Sequence, residues 1–87
     1  MTDKDIYLEC LGRVIRYYRN KRGMTQEQLA IASGYEGNTP RSTMSKIESG
    51  KTDIPVSKLK EISAALNIPV NDICTSTDEV YKIRKWG

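Results

Sequence analysis

The sequence contains no histidine and no phenylalanine, and its only cysteines are Cys10 and Cys74. Without histidine, a zinc site would need carboxylates, and the sequence shows no cluster of them. The two cysteines form no CxxC pair, so we expect two free, partly buried thiols in a reducing compartment. There is also no thiol–base pair and no glycine-rich loop that cradles phosphate. These absences argue against an enzyme and indicate neither a metal nor a cofactor.

Long hydrophobic runs are absent as well. No apolar stretch approaches the roughly 20 residues that span a bilayer. The N-terminal sequence MTDKDIYLEC has no basic region followed by an apolar region, so it does not resemble a signal peptide. We therefore expect a cytoplasmic protein with no membrane partner. Without phenylalanine, the core must be built from smaller aliphatic residues and tyrosine, which suits a small helical bundle.

The net charge of +3 is distributed unevenly along the 87 residues. Between Arg13 and Lys51 there are eight basic and three acidic residues, whereas the remainder has six basic and eight acidic ones. A basic segment on a nearly neutral chain suits a phosphate backbone as the partner. A solvated charged face would give the same pattern, so charge alone does not decide between them.

Apolar spacing and capping signals predict a series of helices. Thr25 and Gln28 form a capping box, and Met44 and Ile47 are spaced to point inward from one helix face. The expected helices run from Ile6 to Asn20 after a frayed segment at 1–5, from Thr25 to Gly34, from Thr39 and Pro40 to Ser49, from Val56 to Leu66, and through a last short turn at 68–73.

The segment after Cys74 is compatible with two structures. Ser76 and Glu79 have capping-box spacing, and the order of acidic then basic residues suits a helix dipole. The sequence VYKIRKW alternates and is rich in residues that favour strands, so a short edge strand is also consistent with it. Sequence reasoning places the helix ahead of a strand or disorder and leaves these alternatives open.

The chain resembles the Cro/repressor-type (XRE) helix-turn-helix family. LGRVIRYYRNKRGMTQEQLA (11–30) resembles its first two helices, STMSKIESGK (42–51) its recognition helix, and KLKEISAALNIPVNDI its last two helices. The resemblance covers residues 8–73 and implies an all-α fold, a five-helix lambda-repressor-like bundle. We divide the chain into an N-terminal extension (1–7), a helix-turn-helix domain (8–74) and a C-terminal tail (75–87).

One segment departs from the family pattern. The spacing from Gly34 to Glu48 is longer than usual, and the extra residues fall at Glu36–Thr39. Because this segment is polar and contains glycine, we expect it to bulge into solvent without touching the core.

The resemblance implies double-stranded DNA as the partner, with a recognition helix at 40–48 in the major groove. It also implies an ion pair between Arg19 and Glu48. Arg41 suits a bidentate contact with guanine. The expected base contacts are Arg41, Ser42, Thr43 and Lys46, and the expected DNA-backbone contacts are Gln26, Ser45, Ser49, Lys51 and Thr52.

The implied function is a sequence-specific transcriptional regulator, bacterial or phage-encoded, acting as a repressor. It would bind a palindromic operator as a homodimer, and no small-molecule ligand is evident. Tyr81, Ile83 and Trp86 in the tail are candidates for the dimer contact, although a disordered tail or a lid on the core fits the sequence as well. The alternatives are an antitoxin or the controller protein of a restriction–modification system, which use the same fold.

Overall fold

A computed structural model describes residues 2–87, and in this range the chain forms five α-helices and no strand. The all-α prediction is therefore confirmed. The helices are α1 (Asp3–Lys21), α2 (Gln26–Ala32), α3 (Pro40–Glu48), α4 (Val56–Leu66) and α5 (Val70–Trp86).

The first helix begins earlier than the sequence indicated. The Thr2 side chain accepts a hydrogen bond from the Asp5 amide, and the Asp5 carboxylate accepts one from the Thr2 amide, each at 3.1 Å. This reciprocal capping box satisfies two backbone donors at the start of α1. The expectation that residues 2–5 are frayed was therefore wrong, and Met1 lies outside the described residues.

The last helix is continuous across the expected boundary between domain and tail. Thr77 is fully buried, and its hydroxyl donates to the Ile73 carbonyl at 2.7 Å, so the polar group is satisfied inside the helix. The expectation that the last helix is a short turn ending at residue 73 was wrong, because α5 continues to Trp86. The helical alternative for residues 75–86 is correct and the strand is not, and Ser76 does not cap a new helix.

The fifth helix runs antiparallel along the first. The hydroxyls of Ser76 and Tyr18 lie 3.3 Å apart near one end of the pair, and Arg84 ion-pairs with Glu9 at 2.7 Å towards the other. Both helices thus cross the boundaries that sequence reasoning placed at residues 7 and 74. The buried core draws on all five helices and comprises Leu11, Val14, Ile15, Leu29, Ala30, Met44, Ile47, Ile62, Leu66 and Ile73.

A glycine on the first helix allows a close crossing with the third. A Cβ atom placed on Gly12 would lie 2.6 Å from the carbonyl oxygen of Ile47, a separation that real Cβ atoms do not show. Any other residue at this position would push the end of α3 away from α1. Gly12 therefore helps to set the position of the third helix.

Candidate nucleic-acid interface

The third helix has one buried face and one exposed face. Met44, Ile47 and Glu48 are buried against the rest of the protein. Thr43 is half-buried, and its hydroxyl donates to the Thr39 carbonyl at 3.2 Å. The exposed face carries four of the residues predicted to contact DNA, Arg41, Ser42, Ser45 and Lys46.

These four exposed side chains have no polar partner within the described part of the chain. None of them makes a hydrogen bond, ion pair or ring contact with any of residues 2–87. Two carry positive charge and two carry hydroxyls that both donate and accept hydrogen bonds. The helix therefore presents polar groups that a partner can engage without breaking an internal contact. We call this set the reading face.

The buried carboxylate of Glu48 joins three helices. It accepts from Nε of Arg19 at 2.6 Å, from Nη2 of Arg19 at 3.1 Å and from Nε2 of Gln26 at 3.2 Å. Nη1 of Arg19 donates to the Met24 carbonyl at 2.8 Å. The ion pair that the family resemblance implied is present, and it fixes the end of α3 to α1 and to the start of α2.

Gln26 has a structural partner that sequence reasoning missed. We expected it to contact the DNA backbone, and the structure places its amide nitrogen on Glu48. Gln26 also lies with Arg41 in one polar groove of about 460 Å³ at the start of α2. The structure thus brings these two predicted contact residues together. The capping-box pattern gave no signal for the bond to Glu48, because the two residues are 22 positions apart.

The connection after α3 holds the remaining predicted contacts. Lys51 is exposed, Thr52 is half-buried, and the Ser49 hydroxyl donates to the Ser45 carbonyl at 2.9 Å. An ion pair of 2.9 Å between Lys4 and Asp53 joins this connection to the start of α1. The hydrogen bond from Lys4 lowers the pKa of the Asp53 carboxyl below its usual value.

The loop between α2 and α3 is anchored at one end only. The ring of Tyr35 is half-buried, and the ammonium of Lys58 lies 4.3 Å from its centroid. Burial raises the pKa of the Tyr35 hydroxyl. The next residues, 36–39, are exposed, as expected for an inserted polar loop. The structure does not place them against the core.

The described residues form neither a metal-binding cluster nor a membrane-spanning helix. Among residues 2–87, no three side chains of the metal-binding types lie close enough together to hold an ion. In the same range, none of the helices combines the length and apolar character needed to cross a membrane. Cys10 is buried and Cys74 is half-buried, and both are free thiols.

Residues 15–73 match the sequence profile of a helix-turn-helix family. The chain belongs to the XRE-type helix-turn-helix family. It is 36% identical over 73 residues to the HTH-type transcriptional regulator SlrR of Bacillus subtilis (strain 168), covering 83% of this chain and 45% of that protein. It is 33% identical over 63 residues to the competence pilus inhibition repressor of Acinetobacter baylyi (strain ATCC 33305 / BD413 / ADP1), covering 72% and 54%.

A solved structure has the same arrangement of helices. The clp gene regulator ClgR from C. glutamicum superposes with a TM-score of 0.75 at 26% sequence identity, covering 84% of this chain and 90% of that one. The chain spans about half the length of the curated relatives that it matches.

Proposed function

We propose that this chain binds DNA sequence-specifically and regulates transcription, with α3 as the recognition helix in the major groove. The observation that carries the proposal is the reading face, four exposed polar side chains with no partner among residues 2–87. A recognition helix needs such a face because base edges are read by hydrogen bonds. Membership of the XRE-type family supports the same function.

Individual roles follow from side-chain chemistry. The Arg41 guanidinium matches the O6 and N7 acceptors of guanine, and the Lys46 ammonium suits a guanine or a phosphate. Ser42 and Thr43 are adaptable base contacts, with the Thr43 methyl suited to a thymine methyl. Backbone contacts fall to Gln26, Ser45, Ser49, Lys51 and Thr52, which fix the position of the helix without reading sequence.

The proposed mode of action is repression by a homodimer on a pseudo-palindromic operator. One domain of this size neutralises few phosphates, and two domains related by a twofold axis reach half-sites about 34 Å apart. A matched relative is itself described as a repressor, which supports the sign of regulation.

The test is a selection of bound duplexes from random DNA, followed by affinity measurements on the selected site. We expect a palindromic consensus, and we expect Arg41→Ala to lose about 1–3 kcal/mol on it, because one bidentate base contact is removed. Lys60→Ala, which removes an exposed charge from α4, is the matched control and should bind as the wild type does. No enrichment over the starting pool, or equal losses for both variants, would exclude α3 as the reading helix.

A further inference from the structure

An apolar groove lies along the outer side of the seam between α1 and α5. Val14, Tyr17 and Tyr18 line it from α1, and Val80 and Ile83 line it from α5, enclosing about 460 Å³. Tyr17 is 56% exposed and Ile83 is 71% exposed, although both are large and hydrophobic. A contiguous apolar surface of this kind marks an interaction site more often than single exposed residues do.

The two banks of this groove carry opposite charges. Arg13 borders it on the α1 side and Glu79 borders it on the α5 side. Both side chains are exposed, and neither makes an ion pair or hydrogen bond within residues 2–87. The groove therefore combines an apolar floor with one unused positive and one unused negative group.

This charge arrangement is complementary to itself. In a twofold interface, every contact occurs twice: if residue i of one copy contacts residue j of the other, then residue j of the first copy contacts residue i of the second. When the groove faces another copy of itself across a twofold axis, Arg13 of each copy can meet Glu79 of the other. Both pairs are then satisfied at once, and the apolar floors are covered between them.

We propose that this groove is the docking site for a second copy of the chain, with Arg13 of one copy paired with Glu79 of the other. Tyr17 and Ile83 form the apolar centre of the interface. The inference rests on the homodimer of the proposed function and assigns a surface to it.

The positions of the three C-terminal residues expected to help dimerise show which of them belong to this surface. Tyr81, one of three residues expected to help dimerise, packs against Tyr7 of the same chain with ring centroids 5.4 Å apart. The Lys85 ammonium also donates to the Tyr81 hydroxyl at 3.2 Å. Of the three, Ile83 lies in the groove, and Trp86, at 78% exposure, lies one turn further along α5.

Charge reversal tests the pairing directly. Arg13→Glu places two acidic groups opposite each other, and Glu79→Lys places two basic groups opposite each other. We expect either change to weaken self-association about tenfold or more, measured by sedimentation over a concentration series. The double variant should regain it, and so should an equimolar mixture of the two single variants, because each then supplies what the other lacks. Only a contact between copies produces recovery in the mixture.

Matched controls separate this effect from general charge effects and from unfolding. Lys60→Glu and Glu36→Lys reverse exposed charges elsewhere and should self-associate as the wild type does. Circular dichroism establishes that each variant is folded. Ile83→Ser removes an exposed apolar contact and should also weaken association, even if a charge variant misfolds.

The proposal is overturned if the wild type is monomeric both free and on a duplex carrying two half-sites, or if the mixture of single variants fails to associate. Affinity for a duplex with a single half-site distinguishes a failure of self-association from a failure of DNA binding. Monomeric variants should bind one half-site as the wild type does. Failure of all chains to bind DNA, with self-association intact, would count against DNA binding and not against the groove.

Discussion

The carboxylate of Glu48 and the guanidinium of Arg19 form a two-point ion pair, with one contact of 2.6 Å and one of 3.1 Å. The Arg19 side chain is 12% exposed and that of Glu48 is 3% exposed. Geometry of this kind fixes orientation as well as distance. Since Glu48 is the last residue of α3, the pair determines where the reading face lies relative to α1.

Replacing Glu48 should destabilise the protein strongly. Glu48→Ala leaves the Arg19 charge largely buried without its partner, and we expect a loss of about 3–5 kcal/mol in the free energy of unfolding. Urea denaturation measures it. Glu61→Ala is the matched control because Glu61 pairs with Lys58 at 3.1 Å with half of its side chain exposed, and its loss should stay below about 1 kcal/mol. Equal losses for both would contradict the role assigned to burial.

Replacing Gly12 tests the close crossing of α1 and α3. Helix propensity alone predicts that Gly12→Ala stabilises an exposed helix by about 1 kcal/mol. The contact with the Ile47 carbonyl instead predicts a net loss, since overpacking typically costs about 1–3 kcal/mol. Thermal unfolding decides the sign. Asn20→Ala, at an exposed position of the same helix, should be neutral or slightly stabilising, and a gain at Gly12 would contradict the crossing.

The ion pair of Glu48 and the close crossing at Gly12 differ in how far the sequence could predict them. The pair of Arg19 and Glu48 followed from resemblance to a family whose motif carries both residues. The need for glycine at position 12 comes from a backbone of α3 that lies 35 residues away, and no local pattern encodes it. The bond from Gln26 to Glu48 was missed for the same reason, although the capping box that starts α2 was predicted.

We expect the hydroxyl of Tyr7 to make the free energy of unfolding fall at alkaline pH. Burial and the 2.8 Å hydrogen bond to Asp78 raise its pKa above the usual value of 10.0. A raised pKa in the folded state contributes stability that is present below pH 10.0 and is lost as pH rises through the raised value. Tyr7→Phe should therefore cost about 0.5–1.5 kcal/mol at neutral pH and flatten the alkaline decline.

Circular dichroism during denaturation at several pH values measures this effect. Tyr17→Phe is the control because that ring is 56% exposed and its hydroxyl has no hydrogen bond among the described residues. It should leave both the neutral stability and the alkaline decline unchanged. An alkaline decline that is identical in wild type and Tyr7→Phe would contradict the assignment.

Shortening the chain tests whether the end of α5 belongs to the core. A chain ending at Cys74 loses buried Thr77 and half-buried Val80, and we expect it to lose at least about 3 kcal/mol or fail to fold. A chain ending at Lys85 loses only exposed Trp86 and Gly87 and should stay within about 0.5 kcal/mol of the wild type. Denaturation curves that coincide for the two shortened chains would contradict this division.

The extent of the fifth helix was hard to predict because a segment with polar composition contains a buried residue. The sequence TSTDE at 75–79 reads as polar and exposed, yet Thr77 is buried with its hydroxyl bonded to Ile73. A threonine that satisfies its own polar group within the helix can occupy a core position. By contrast, α4 was predicted with its observed bounds, because its apolar residues have regular helical spacing.

Arg41 and Lys51 should affect DNA binding in different ways. Lys51→Ala removes a phosphate contact in the proposed complex, so it should weaken binding to all sequences and reduce the salt slope by about 1. Arg41→Ala should weaken binding mainly to the selected site and relax its preference at one base position. Titrations at several salt concentrations, on selected and random duplexes, separate the two. Identical profiles for both variants would contradict the division between base and backbone contacts.

The separation of the two faces of α3 has a consequence for how this protein can diversify. Met44, Ile47 and Glu48 hold the helix in place, while the side chains of Arg41, Ser42, Ser45 and Lys46 make no hydrogen bond, ion pair or ring contact within residues 2–87. In the proposed complex, target preference and stability are thus specified by different residues of one nine-residue helix. We therefore expect substitutions on the reading face to change the preferred operator while leaving the unfolding free energy almost unchanged, so that recognition can change without compensating mutations in the core.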